Sequence, residues 1–217
     1  MTRSISRPIM FWHAVLLLAV LFVCIAVNAD TSWQTQSSRY LEQLLQANPD
    51  RLPELDEPVV VEFYRERAFK PVWSNAQGRL DRSYDLLQVI IRSKDEGLDP
   101  ADYNLEEFKR YWDSDGLGEA VNLDLLLTAA LYRYSNDVYS GRGDPLELDQ
   151  DWHIRKKPPD TGKLLSDVAI KSSIAKRLKQ LPPQHEGYQT LRHQLQRFRE
   201  LAQQGGWPKL GWGPVLE

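Results

Sequence analysis

Asp149, Asp151 and His153 alternate in the run Asp149-Gln150-Asp151-Trp152-His153. In extended backbone every second side chain points to the same face. Two carboxylates and an imidazole on one face form a donor set for a divalent cation. The same residue types also hydrogen-bond loop backbone, with Trp152 as an apolar anchor, and no second ligand motif accompanies them. A further group of acids, Asp99, Asp102, Asp144 and Glu147, falls at loops and probable helix caps. Paired carboxylates can cleave a glycosidic bond, one as acid and the other as base or nucleophile. Capping and turn chemistry accounts for the same four residues. Beyond residue 29 the chain keeps six tryptophans and nine tyrosines, whose faces can stack on sugar rings. Phe63, Tyr134, Tyr139, Tyr188 and Phe198 recur at helical core spacing, however, and are expected to pack inside. Trp207 and Trp212 lie outside that periodicity, as a folded-back anchor or as a contact surface.

Nucleophilic chemistry is harder to build. Cys24 is the one cysteine in the sequence. No Gly-x-Ser-x-Gly elbow accompanies His153, His185 and His193, and no glycine-rich phosphate loop occurs. No catalytic residue, metal ligand or cofactor is therefore assigned. With 27 basic and 30 acidic residues the formal charge is −3, which gives no basic surplus for nucleic acid. Hydrophobic residues at 42% and charged residues at 26% are the proportions of a folded domain, not of a disordered or polytopic chain.

The first 29 residues read as an address. Arg3 and Arg7 precede an uncharged run from Met10 to Val27, and Val27-Asn28-Ala29 supplies a cleavage point before Asp30. An uncleaved run of this length is an alternative, as a signal anchor spanning a bilayer. Cys24 as a lipidation site is a weaker fit, because Val23 is larger than the small residue such signals carry. Either way the remainder faces the far side of the membrane. Cleavage would remove both arginines and Cys24, and move the charge from −3 to −5. A mature chain of this size can bury enough apolar surface to stand without disulfides.

The elements that would position these residues are helical. Trp33, Tyr40, Leu41, Leu44 and Leu45 mark a first amphipathic stretch, ended near Asn48-Pro49. Arg51 to Glu57 reads as a polar connector. Pro58 suits a first helical turn, and Val59, Val60, Phe63 and Tyr64 continue to about Ala68. After a break around Pro71, Leu86, Leu87, Ile90 and Ile91 form another stripe, with Gly97 as terminator. Asn104 and Glu107 resemble a capping box. Asn122 opens the most apolar helix, closed by Gly141, and an all-round apolar helix belongs at the centre. Gly143 to Pro159 reads as a long ordered loop. Two short helices flank a break near Lys171 to Ser173, Pro182-Pro183 is a stop, and a last helix runs from Tyr188 to Ala202 before Gly205-Gly206. No strand alternation persists. The expected fold is all-α, an irregular multi-helix domain with long ordered loops behind a signal or anchor: residues 1–29 the leader, 30–57 an N-terminal helix and connector, 58–217 the main domain.

Several of these motifs, in this order, carry a resemblance. They are Phe63-Tyr64 with Arg67 and Pro71-Val72-Trp73; Glu96 through Tyr103; Leu123 to Leu127 with Tyr134; and Tyr139-Ser140-Gly141-Arg142 with Asp144-Pro145. Asp151-Trp152-His153-Ile154 follows, then Leu181-Pro182-Pro183, His185, Tyr188 and Leu191, and finally Gly205-Gly206-Trp207-Pro208. The set resembles the N-terminal scaffold domain of the large murein L,D-transpeptidases of Gram-negative bacteria, from roughly Tyr40 to Leu216. The resemblance implies an exported, mainly helical scaffold that in those enzymes precedes a peptidoglycan-binding module and a catalytic domain with a Ser-x-Gly-Cys nucleophile motif. No such motif occurs here, and Glu217 stands where the binding module would begin, so no catalytic residue is carried over.

The expectation is a non-catalytic periplasmic scaffold or interaction module associated with peptidoglycan cross-linking. It is either functional by itself or cut from a longer enzyme. Its partner would be peptidoglycan or a cell-wall synthesis protein such as a transpeptidase, with no nucleic acid, and a membrane only through an uncleaved N-terminal segment. The alternative is a stand-alone wall hydrolase using loop carboxylates or a metal.

Overall fold

The computed structural model describes residues 30–47, 53–55, 57–143, 159–170 and 174–207. Within them, residues 30–47 are helical (α1). There follow α2 (Pro58–Glu66), a hairpin of β1 (Ser74–Asn75) and β2 (Gly78–Arg79), α3 (Asp81–Ile91), α4 (Leu105–Trp112) and α5 (Leu117–Ser140). Then come α6 (Thr161–Ile170), α7 (Ala175–Leu178) and α8 (Glu186–Gln203), with three short 3-10 turns at Pro53–Leu55, Ser93–Glu96 and Pro100–Tyr103. The all-α expectation holds. The hairpin, two residues a side and paired Ser74 to Arg79 and Asn75 to Gly78, is too short to leave an alternating pattern.

The centre is α5. Thirteen of its 24 residues are buried, from Val121 to Val138, and it has almost no solvent face from Leu123 to Leu131, as the composition of that stretch requires. It begins at Leu117, five residues before the expected Asn122. Gly118 there lies against α1, where a Cβ would come 3.6 Å from the Tyr40 ring. Leu41 of α1 is fully buried in the same core as α5. The supposed polar connector contributes to that core as well. Leu55 is 6% exposed, and Glu54 is buried and ion-paired with Arg133 of α5.

Around α5 four further helices apply one apolar face each. α2 uses Val60, Phe63 and Tyr64, α3 uses Leu86 and Ile90, α4 uses Phe108, and α6 uses Leu164, Leu165 and Val168. Arg82 of α3 donates to the Val168 and Ala169 carbonyls at 2.6 and 2.9 Å, and so covers the end of α6, where carbonyls lack helical partners. The break before Pro71 is real. Ala68 and Phe69 take left-handed backbone, with φ of 51° and 56°, and the Phe69 N–H returns to the Tyr64 carbonyl at 2.8 Å. Gly97 ends a 3-10 turn rather than α3 itself. Asn104 precedes α4 in left-handed backbone and makes no side-chain cap, so the expected capping box does not form.

The last helix departs most from expectation. α8 has no buried residue. Its apolar positions Leu191 and Phe198 are 69% and 55% exposed, and Tyr139 on α5 is 48% exposed. For Phe198 and Tyr139 the core assignment is therefore corrected. Periodicity marks an amphipathic face but not what covers it. Phe63 and Tyr134 are buried as expected.

Candidate functional site

Asp124 interrupts a leucine run on α5 and is fully buried. An ionisable group in that position requires partners. Its Oδ2 accepts the backbone N–H groups of Val72 and Trp73 at 2.8 and 2.7 Å, and its Oδ1 accepts the Tyr64 hydroxyl at 2.9 Å. Thr128, one turn later, accepts the Trp73 indole N–H at 2.9 Å and lies 2.6 Å from the Tyr64 hydroxyl. Desolvation pushes the Asp124 carboxyl up to about 6, although three donors and the nearby Arg67 charge favour the ionised form. Burial and the Asp124 charge together hold the Tyr64 hydroxyl well above the ordinary phenol range. This network orients the chain from Val72 to Trp73. The Trp73 carbonyl then takes the Leu80 N–H at 2.9 Å and the Ser83 hydroxyl, which seats the hairpin between them.

A pocket of about 230 Å³ opens beside that hairpin. Trp33 of α1, Trp73, the turn residues Asn75 to Gly78, Arg79, and Ser114 and Asp115 before α5 line it. Arg79 is committed elsewhere, donating to the Tyr111 and Ser114 carbonyls at 2.6 and 2.9 Å, with its guanidinium 5.6 Å from the Trp112 ring centre. The Ser74 hydroxyl and Arg79 Nε are buried with no hydrogen-bond partner among the described residues. The Gln77 carboxamide and the Asp115 carboxylate lie exposed at this pocket.

A second, larger groove of about 590 Å³ separates α3, α7 and α8. Glu96 is its fixed point, accepting the Tyr188 hydroxyl at 2.7 Å and pairing with Arg192 at 2.9 Å. Arg199 donates to the Lys94 carbonyl. These contacts, together with Leu195 against Gly97, attach α8 to the body.

The acids singled out for hydrolysis do structural work where they are described. Asp99 Oδ1 accepts the Ala101 N–H at 3.0 Å, capping a 3-10 turn, and Asp102 pairs with Arg142 at 2.5 Å. Asp144, Glu147, Asp149, Asp151, Trp152, His153 and Trp212 lie outside the described residues, as do the leader, most of the Gly143 to Pro159 loop and the Lys171 to Ser173 break. His185 caps α8, its Nδ1 accepting the Tyr188 N–H at 3.1 Å, while His193 is exposed on the same helix. Trp207 is 69% exposed. Among the described residues no three acids or histidines gather where a metal could sit, and no helix is long and apolar enough to cross a membrane. Sequence reasoning missed Asp124. The available signal was one acid inside Leu123 to Leu127, a place where an unpaired charge is too costly to keep.

The fold is thus a helical framework locked by a buried polar network. The chain matches the Scaffold domain family over residues 58–195, more than half its length, and belongs to that family. No curated protein and no solved structure matches it.

Proposed function

We propose that this protein is a non-catalytic scaffold module of the cell envelope, related to the scaffold of murein L,D-transpeptidases. It acts in the periplasm by contact with peptidoglycan or with a cross-linking enzyme in trans. The match to the Scaffold domain family over residues 58–195 carries this reading. The ordered motifs from Phe63 to Trp207 add the transpeptidase link, and the run from Arg3 through Ala29 adds export. The structural roles of Asp99 and Asp102 favour a scaffold over a carboxylate hydrolase.

Affinity isolation from envelope extracts, with the full chain as bait, tests the proposal. The expected result is recovery of purified sacculi or of a wall-synthesis enzyme. Recovery of neither overturns it, and so does release of muropeptides from sacculi by the pure chain.

A further inference from the structure

His185 caps α8 with a ring nitrogen where an oxygen is usual. Its Nδ1 accepts the Tyr188 N–H at 3.1 Å, and its own backbone is extended, with φ −72° and ψ 152°. Only an unprotonated Nδ1 can accept, and imidazole is the side chain whose charge changes between about pH 5 and 8. The common caps, serine, threonine, asparagine and aspartate, keep one charge state across that interval. Protonation turns the acceptor into a donor aimed at an N–H, and it sets a positive ring against the positive end of a helix. The Tyr188 N–H also reaches the His185 carbonyl at 3.1 Å. The amide therefore keeps a partner, and the cost of protonation is repulsion, not a bare group.

The cap matters because of what holds this helix. α8 has no buried residue, so hydrogen bonds and ion pairs carry much of its attachment. Tyr188, whose N–H is capped, also donates its hydroxyl to Glu96 at 2.7 Å, and Arg192 one turn later pairs with the same carboxylate at 2.9 Å. Cap and first tether thus share one residue, and opening the first turn displaces the tether. The charged groups of the neighbouring elements are Glu186 on α8 itself, Lys179 in the preceding turn, and Asp95 and Glu96 with Arg192. None of them replaces the lost acceptor at the helix end. Gln189 and Arg192 of α8 form one wall of the groove of about 590 Å³, so movement of this turn changes the width of the groove.

We propose that His185 is a proton-operated latch: unprotonated, it seats the first turn of α8 on Glu96, and protonated, it releases that turn and widens the groove between α3, α7 and α8. This goes beyond the envelope reading and does not rest on it.

The test follows amide exchange in the full chain from about pH 8 to about pH 5.5, corrected for the pH dependence of chemical exchange. Protection of Tyr188 and Gln189, relative to α5 amides, should fall about fivefold across that range, as expected for a lost cap. Global unfolding does not imitate this, because Asp124 titrates at about 6 when folded against 3.8 otherwise and so makes the core more stable in acid. His185→Asn keeps a cap that does not titrate, so it should hold full protection at both ends of the range. His185→Ala should show the low value at both. An unchanged ratio in the parent chain overturns the latch, as does an equal fall in His185→Asn, which would assign the effect to the carboxylates instead.

Discussion

Asp124 Oδ2 accepts the backbone N–H of Trp73 at 2.7 Å, across 51 positions of sequence, and this contact joins the central helix to the turn that carries the hairpin. The same oxygen takes the Val72 N–H, so one carboxylate oxygen answers two consecutive amides that the bend before β1 would otherwise leave bare. Asp124→Ala strands both amides inside the core and leaves the Tyr64 hydroxyl with Thr128 and a long bond to the backbone carbonyl of residue 124. A loss of about 3 kcal/mol in urea-determined stability is expected. Tyr64→Phe and Thr128→Val should each lose about 1–2 kcal/mol. The double variant should lose less than the sum, because both side chains serve one network.

Stability should also depend on pH through Asp124. Its carboxyl titrates near 6 when folded and near 3.8 when unfolded, so between those values the folded state binds the proton more tightly. Stability then falls as pH rises from about 4 through 6 and levels off above, by about 3 kcal/mol in all. Asp124→Asn removes that contribution. The difference in unfolding free energy between parent and variant, measured from pH 4 to pH 8, should carry the slope.

Glu96 holds α8 by two bonds, to Tyr188 and Arg192. Its side chain is 10% exposed, so Glu96→Ala leaves the partners without their acceptor. Amide exchange across Glu186 to Gln203 should accelerate about tenfold, while α5 amides keep their protection. Equal acceleration in α5 would mean that the last helix is integral to the core.

Gly97 adopts φ of +83° at the end of a 3-10 turn, and a Cβ there would meet Leu195 Cδ2 at an ordinary 3.7 Å. Space is therefore not the obstacle, and backbone conformation is. Gly97→Ala should cost about 1 kcal/mol in a thermal or urea melt.

The helices were legible where one face of the segment is apolar. Leu86 and Ile90, Leu164 and Val168, and Phe63 with Tyr64 announced themselves by spacing, and each is buried. Punctuation was legible too, at Pro58, Gly141 and Gly205-Gly206, because proline and glycine restrict or free the backbone locally. The hairpin was not, since a two-residue strand has no period to detect and is held by Asp124, far away in sequence. The exposure of Phe198 and Tyr139 was invisible for the opposite reason: a stripe reports that something apolar faces one way, and only tertiary placement decides whether anything meets it. The hairpin pocket draws on Trp33, Gln77 and Asp115, which lie on three separate segments and share no motif.

A rod that is oily on every side can be turned about its own axis, or slid by a residue, with little change in the grease it hides. α5 is nearly such a rod from Leu123 to Leu131. Asp124 removes that freedom, because only one rotation brings its carboxylate to the waiting amides of Val72 and Trp73. A single acid therefore chooses among packings that hydrophobicity alone would leave nearly equal in energy.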